Sequence, residues 1–351
     1  APPPKRELAG RRRRLARSAG VTRVSSMRLL VLRSSWGLAG LGRDAARAIA
    51  GVRAAGFDGI EMSLAEYKEC SDDEQRALRG ALRSHDMSLI MSAYSSWDNY
   101  VGAFDGRSTV QDHTHTMTQQ LREIAEVASA VGPGALRVNG HSGSDAWTEA
   151  EACEFFEATT EAASTLGDAL PPLSHETHRG RYLCCPFATA RLLRRVPTLR
   201  LTSDFSHWVV KCERLLDSPE EAALLHGDIA PAVDHLHARI GTPQSPQVAD
   251  VRSPLAAGAA ERFYSFWESV WGAHEQASVS SRSSVLTATI EYGPVERCEA
   301  SGDYAGYTPV GPSAEPVAPH AFDETLERAA ADLRERFDAW HSDAPKRRFP
   351  F

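Results

Sequence analysis

A chain of 351 residues, 42% apolar and 24% charged, has room for one α/β barrel or two ordinary domains. No apolar run reaches the roughly 18 residues of a membrane span, which argues against a membrane-spanning protein. The net charge of −7 is unevenly spread: residues 1–26 carry +7, leaving −14 on the rest, and so acidic a body does not suit a nucleic-acid groove.

The basic arm, residues 1–26, contains Lys5, Arg6, Arg11, Arg12, Arg13, Arg14, Arg17 and Arg23 against Glu7 alone. It lacks the apolar core of a secretory signal. Its Arg-rich, acid-poor composition resembles an organellar transit segment, which would fit an organellar as well as a cytoplasmic location. A disordered or extended basic tail, or translated sequence upstream of a start at Met27, fits the composition equally well. The six cysteines (Cys70, Cys153, Cys184, Cys185, Cys212, Cys298) show no C-x-x-C spacing, so reduced structural thiols are expected rather than disulfides or a zinc knot. The adjacent Cys184 and Cys185 form the one candidate redox pair, although two small partly buried side chains are the commoner case.

From Met27 onward, apolar strand-like runs alternate with helical patterns. Strands are expected at Arg28–Leu32, Gly59–Met62, Ser88–Ala93, Leu136–Asn139, Leu173–Thr177, Leu199–Ser203, His235–Ile240 and Leu286–Glu291. Between them, Ala45 to Ala55 reads as a helix stopped by Gly56. Thr116 to Val131 repeats Met117, Leu121, Ile124, Val127 and Val131 at helical spacing before Gly132-Pro133. Thr148 caps a helix running to Gly167, Pro186 opens another that ends before Pro197, and Ser218-Pro219-Glu220-Glu221 starts a short one. Residues 241–260 and 294–319 are rich in Pro, Gly, Ser and Ala and read as long loops after the seventh and eighth strands. An amphipathic stretch from Phe322 to Trp340 supplies a closing helix. Eight strands separated by helices, with no G-x-G-x-x-G and no internal repeat, predict a single (β/α)8 TIM barrel over residues 27–341, with a C-terminal tail at 342–351.

Four of the strand runs end on a hard ligand: Glu176 in Ser-His-Glu-Thr-His, Asp204 in Ser-Asp-Phe-Ser-His-Trp, His237 in His-Leu-His-Ala-Arg, and Glu291 in Thr-Ile-Glu-Tyr-Gly. Side chains at the C-terminal ends of barrel strands face one mouth, so three carboxylates and an imidazole suit one divalent cation, Mn²⁺, Mg²⁺, Co²⁺ or Zn²⁺. Each has a commoner role when taken singly: a solvated loop carboxylate, a helix-capping Asp, a satisfied histidine. Their joint placement in chain order favours the cation. His141, after the fourth strand, and His178, two residues past Glu176, are substrate-contact candidates, while simple surface exposure is favoured for Arg179 and Arg181. Trp36, Trp97 and Trp208 offer an apolar wall for a sugar ring, with core packing as the default for each.

Asp204 three residues before His207, Arg239 two after His237, and Ile-Glu-Tyr-Gly-Pro around Glu291 resemble the metal-site motifs of the xylose-isomerase-like barrels, the sugar phosphate isomerase/epimerase superfamily. Gly56 to Glu61 (Gly-Phe-Asp-Gly-Ile-Glu) is similar to that family's second strand. The resemblance spans Met27 to Trp340. It implies one metal held by Glu176, Asp204, His237 and Glu291, with Glu176 and Glu291 exchanging a proton at a carbon beside a carbonyl through a metal-stabilised enediolate. His207 and Arg239 would hold substrate oxygens. The implied activity is that of a sugar isomerase or epimerase on a small hydroxy-carbonyl substrate. Dehydration or lyase cleavage by the same superfamily, and a non-catalytic barrel within a larger assembly, are the alternatives. A homo-oligomer is compatible with either. The endonuclease branch needs extra ligands, for which His85, His115, His141 and His178 are candidates, and it ranks lower because the body is acidic. The loop after His237 is longer and richer in Pro than expected of the hexose epimerases.

Overall fold

The computed structural model describes residues 27–101, 106–248, 250–278, 285–297, 304–306 and 321–343; the basic arm, Cys298 and the tail beyond residue 343 lie outside them. Eight parallel strands close into one barrel in chain order: β1 Arg28–Ser34, β2 Gly59–Ser63, β3 Ser88–Tyr94, β4 Ala135–His141, β5 Leu173–Glu176, β6 Leu201–Asp204, β7 Val233–His237 and β8 Val285–Ile290, with β8 pairing back on β1. This is the (β/α)8 barrel expected from the alternation. Strands buried on both faces carry continuous apolar runs, as Leu-Leu-Val-Leu in β1 and Leu-Ile-Met in β3 do. Gly59 is obligatory at the start of β2, because a Cβ there would meet the Ser88 carbonyl oxygen at 2.3 Å.

The helices are α1 Ala45–Ala54, α2 Leu64–Glu69, α3 Asp72–Ser84, α4 Val110–Val131, α5 Glu149–Leu166, α6 Pro186–Arg195, α7 Phe205–Cys212, α8 Pro219–Leu224, α9 Ala257–Ser278 and α10 Ala321–Ser342. Capping boxes start α4 at Thr109 with Asp112 and α5 at Thr148 with Glu151, satisfying orphan amides of the first turn. The expected stripe of α4 is turned inward: Met117, Leu121, Ile124 and Val131 are buried, and Val127 packs at its margin.

Three elements depart from the sequence expectation. Helix α3 begins Asp-Asp-Glu-Gln-Arg and is too polar to show an apolar period, yet a capping box from Ser71 to Glu74 nucleates it. Helix α9 starts at Ala257, inside the stretch read as a loop to 260, and buries Phe263, Phe266, Trp267, Val270 and Trp271. Part of the loop after β8 folds into a hairpin, β9 Val295–Arg297 against β10 Tyr304–Gly306.

At the N-terminal end of the barrel, Asp234 of β7 binds the Arg200 guanidinium through both oxygens, with Arg137 of β4 at 3.6 Å and His274 of α9 at 3.8 Å. Burial opposes ionisation of Asp234, but the Arg200 hydrogen bonds and the Arg137 charge override it and hold its carboxyl below the usual range. Cys184 is buried and Cys185 partly so, both as free thiols, in line with the commoner reading of the adjacent pair, and the Cys185 sulfur contacts the thiol of Cys212, at the end of α7. That contact, opposed by burial and reinforced by the amides of Phe187 and Ala188, brings the Cys185 thiol down to about 5.

Asp234→Asn leaves Arg137 and Arg200 facing each other without a counter-charge, and is expected to cost about 2–4 kcal/mol in urea melts at neutral pH. Because the depressed carboxyl stabilises the fold only while ionised, the difference from wild type should shrink as pH falls below about 4. At pH 7, iodoacetamide followed by peptide mass mapping should label Cys185 ahead of Cys70, Cys153 and Cys184; equal rates would refute a thiolate at Cys185.

Candidate metal centre

Glu176, Asp204 and His237 are the last residues of β5, β6 and β7, and Glu291 immediately follows β8. The barrel thereby brings together all four residues singled out from the strand ends: each offers a ligand atom within 4.8 Å of the others. Glu176, Asp204 and His237 are fully or almost fully buried, whereas the Glu291 side chain is 18% exposed. Asp204 also plays the commoner role considered for it, since its Oδ1 accepts from the Ser206 amide at 2.9 Å and caps α7.

Glu176 and His237 are each gripped on one atom and open on another, whereas both oxygens of Asp204 are engaged, by Ser206 and Arg239. Glu176 Oε2 accepts from Asn139 Nδ2 at 2.8 Å and lies 3.0 Å from His141 Nε2. His141 Nδ1 in turn meets the Tyr100 hydroxyl at 2.9 Å, so a neutral ring that accepts there turns its Nε2–H toward the Glu176 carboxylate. His237 Nε2 faces the Glu61 carboxylate at 3.1 and 3.2 Å. What is left over is Glu176 Oε1, His237 Nδ1 and Glu291 Oε2, three buried atoms without a hydrogen-bond partner. His237 Nδ1 and Glu291 Oε2 are 3.0 Å apart, yet out of hydrogen-bond alignment. Buried orphan acceptors converging on one point fit a divalent cation held by oxygen and imidazole ligands.

The electrostatics match that reading. Burial pushes Glu176 up to about 7, with the His237 charge opposing and Glu291 and Asp204 adding to the rise. Burial also opposes ionisation of Glu291, but His237 and Arg239 more than reverse it and hold that carboxyl low, at about 2. Desolvation alone would lower His237, whereas the Glu291, Glu61 and Glu176 carboxylates together hold it well above the usual imidazole range. Burial keeps His141, His178 and His207 low, His141 at about 3.

A cavity of roughly 470 Å³ opens over these groups, lined among others by Trp36, Tyr94, Tyr100, His178, His207 and Arg239. All five substrate-contact candidates therefore reach the cavity: Trp36, His141, His178, His207 and Arg239. Gly293 is what admits Trp36, because a Cβ there would stand 2.4 Å from the indole. Arg239 does more than line the wall: its Nη2 pairs with Asp204 Oδ2 and lies 3.1 Å from His207 Nε2. The other tryptophans go elsewhere. Trp208 is fully buried and donates to the Leu183 carbonyl at 2.8 Å, which makes it core, and Trp97 sits in the β3–α4 loop with its ring edge-on to Tyr100. Of the extra histidines, His85 caps the C-terminal end of α3 and His115 is exposed on α4, so neither reaches the centre.

Sequence reasoning missed Glu61, Asn139, Tyr100 and Arg181. Arg181, expected at the surface, is fully buried: its guanidinium donates to the Ser96 and Trp97 carbonyls at 2.8 and 3.3 Å and packs 5.0 Å from the Tyr100 ring centroid. It fastens a turn in which Trp97, Asn99 and Tyr100 all have positive φ, near 50–60°. Tyr100 is thereby laid over His178, with ring centroids 4.5 Å apart, as the roof of the cavity. Glu61 lies inside its strand, in Gly-Ile-Glu-Met-Ser, and so lacks the strand-end signal of the four others.

An eight-strand barrel with a carboxylate and imidazole centre at its C-terminal mouth defines a class of metal-enzyme-like TIM barrels. The chain belongs to the xylose isomerase-like TIM barrel family, whose sequence profile matches residues 49–260, more than half its length. No curated protein matches it in sequence. Among solved structures it is similar to a xylose isomerase-like TIM barrel protein from Mycobacterium smegmatis in complex with magnesium (14% identity, 90% of this chain and 97% of that one, TM-score 0.54). It is also similar to the probable 3-DHS dehydratase AsbF from Bacillus anthracis (13%, 88% and 99%, TM-score 0.53). A third is the D-psicose 3-epimerase from Clostridium cellulolyticum H10 with D-tagatose (14%, 88% and 98%, TM-score 0.53). At such identities the likeness shows the fold. Among the described residues no helix is long and apolar enough to cross a membrane.

Replacing Arg181 by Met removes charge-assisted bonds to buried carbonyls. Local opening of residues 95–101 should become easier by about 1.5–3 kcal/mol, read as roughly ten- to a hundredfold faster amide exchange there and unchanged exchange in β5 to β8.

Proposed function

We propose that the chain is a divalent-metal-dependent isomerase or epimerase that moves a proton at a carbon beside a carbonyl in a sugar-like substrate. The observation carrying this reading is the convergence of Glu176, Asp204, His237 and Glu291 on one point beneath the cavity, with one buried oxygen of each of the two glutamates free of hydrogen bonds. A divalent cation held by Glu176, Asp204, His237 and Glu291 supplies Lewis-acid polarisation of carbonyl and hydroxyl oxygens.

The protein's own groups supply the proton traffic. The glutamate pair would work in turn: the Glu291 carboxylate would take a proton from carbon on one side, and Glu176, once protonated, would return one from the other. His141 and Asn139 hold the remaining Glu176 oxygen, so its acid oxygen stays directed at the centre. His207 and Arg239 line the cavity with donors for substrate oxygens, and the Tyr100 and Trp36 rings restrict water above it.

Incubating the protein with Mn²⁺ and a panel of ketoses and inosose-like polyols in deuterated water should place solvent deuterium at a carbinol carbon. Loss of water without exchange would instead establish a dehydratase and overturn the proposal. Glu176→Gln and Glu291→Gln should each lower turnover about 10²–10⁴-fold with the fold intact. Since the ion must displace protons from Glu176 and His237, Mn²⁺ affinity by equilibrium dialysis should rise with pH through 7. A protein that takes up no metal at micromolar concentrations would refute the reading.

A further inference from the structure

We infer that Glu61, on β2, is the positioning residue of the centre: it orients His237 so that Nδ1, not Nε2, is offered to the cation, and is itself no ligand. The inference rests on the proposed metal reading and adds a component of a different strand.

Glu61 lies at the barrel axis beneath the four strand-end residues and is 5% exposed. Its Oε1 accepts from Ser92 Oγ, Asn139 Nδ2 and His237 Nε2, each at 3.1 Å. Its Oε2 accepts from Thr289 Oγ1 at 2.5 Å and His235 Nε2 at 3.1 Å. A carboxylate has about four lone-pair sites, so this one is saturated by donors from β3, β4, β7 and β8. Glu61, His235 and His237 are close enough to suggest a cation of their own. The donor count argues against it, because a metal there would face N–H and O–H groups already pointing at Glu61. The unpartnered oxygens Glu176 Oε1 and Glu291 Oε2 lie instead at the other nitrogen of the His237 ring, Nδ1.

An imidazole between two acidic groups has two ways to share its nitrogens, and Glu61 chooses. With Nε2–H donated to Glu61, the Nδ1 lone pair is fixed toward Glu176 Oε1 and Glu291 Oε2, 3.7 and 3.0 Å away. Carboxylate–histidine–metal chains of this form set ring orientation and ligand basicity, and their loss typically costs 10–100-fold in metal affinity. His235 packs edge-on to His237, with ring centroids 5.3 Å apart, and its Nδ1 is anchored 2.7 Å from the Oγ1 of Thr287, its pairing partner on β8, which keeps the carboxylate from swinging away.

Glu61→Gln tests this without any substrate. Its amide nitrogen must replace either Oε1 or Oε2, and at either position it meets at least two existing donors, so the carboxylate's charge is lost and the acceptor facing His237 is either removed or pushed out of place. Metal-free wild type and variant are titrated with Co²⁺, following heat and visible absorption. The variant's Kd should rise about 10–100-fold, while near-ultraviolet circular dichroism and the Co²⁺ spectrum at saturation match wild type. An unchanged Kd overturns the inference, and so does an altered saturated spectrum, which would make Glu61 a ligand. Should Glu61→Gln not fold, Thr289→Val decides: it removes one donor to Oε2, and a Kd equal to wild type overturns the inference. Failure of wild type to bind Co²⁺ is separately recognisable and defeats the metal reading first.

Discussion

His237 is an imidazole enclosed by carboxylates, with Glu61 on one edge and Glu176 and Glu291 on the other, and the rest of the mouth is built around that enclosure. Buried like charges repel strongly where water is excluded, so four carboxylates in one pocket persist only if positive charge or hydrogen-bond donors meet each of them. Glu61 is met by five groups, Glu176 Oε2 by Asn139 and His141, and Asp204 by Arg239 and the first turn of α7. Among these carboxylates and the imidazole they enclose, the atoms left without a hydrogen bond are the inner oxygens of Glu176 and Glu291 and Nδ1 of His237. A divalent cation is the simplest partner for those two oxygens and the His237 lone pair together.

The barrel makes this arrangement affordable because it delivers each group from a rigid strand end. Glu176, Asp204 and His237 occupy equivalent last positions in three adjacent strands, so their spacing follows from strand pairing and not from loop conformation. Loops enter only above that plane. There the geometry is held by single buried contacts: Arg181 on the β3–α4 turn, Gly293 against Trp36, and the Tyr292 hydroxyl accepting from the Ile240 amide at 3.1 Å. The division is a rigid charged floor beneath a roof of aromatic rings carried on loops.

The floor was legible in the sequence and the roof was not, for a physical reason. A hydrophobic run that stops at a carboxylate is a local signal, and in a barrel all such stops point the same way, so Glu176, Asp204, His237 and Glu291 could be read without coordinates. Glu61 lacks that signal, because its apolar run continues through Met62, and nothing in its own segment marks it as part of the centre. Its partners Asn139, His235 and Thr289 lie 78, 174 and 228 residues away in the chain. Arg181 was misplaced because a charged residue among Arg179, Gly180 and Tyr182 reads as surface, and only the carbonyls of a turn 84–85 residues earlier explain its burial. Helix α3 escaped because its acid-rich start suppresses the apolar period that betrays α4.

The two glutamates of the proposed proton pair differ in one respect that bears on direction. Glu176 has no exposed surface, and its outer oxygen is fixed by a chain running through His141 and Tyr100 to Arg181; Glu291 is partly open to the cavity and lies 3.6 Å from Arg239. A sealed carboxyl keeps its proton because ionisation would bury a charge, while an open one beside a guanidinium ionises readily. The asymmetry therefore comes from position in the barrel and not from residue type. It couples the proton-holding side of the site to the aromatic roof, and the ionised side to the Arg239–Asp204 pair. A substrate that seats under Tyr100 touches the same hydrogen-bonded chain that fixes the Glu176 acid oxygen, so binding and proton transfer share one set of contacts.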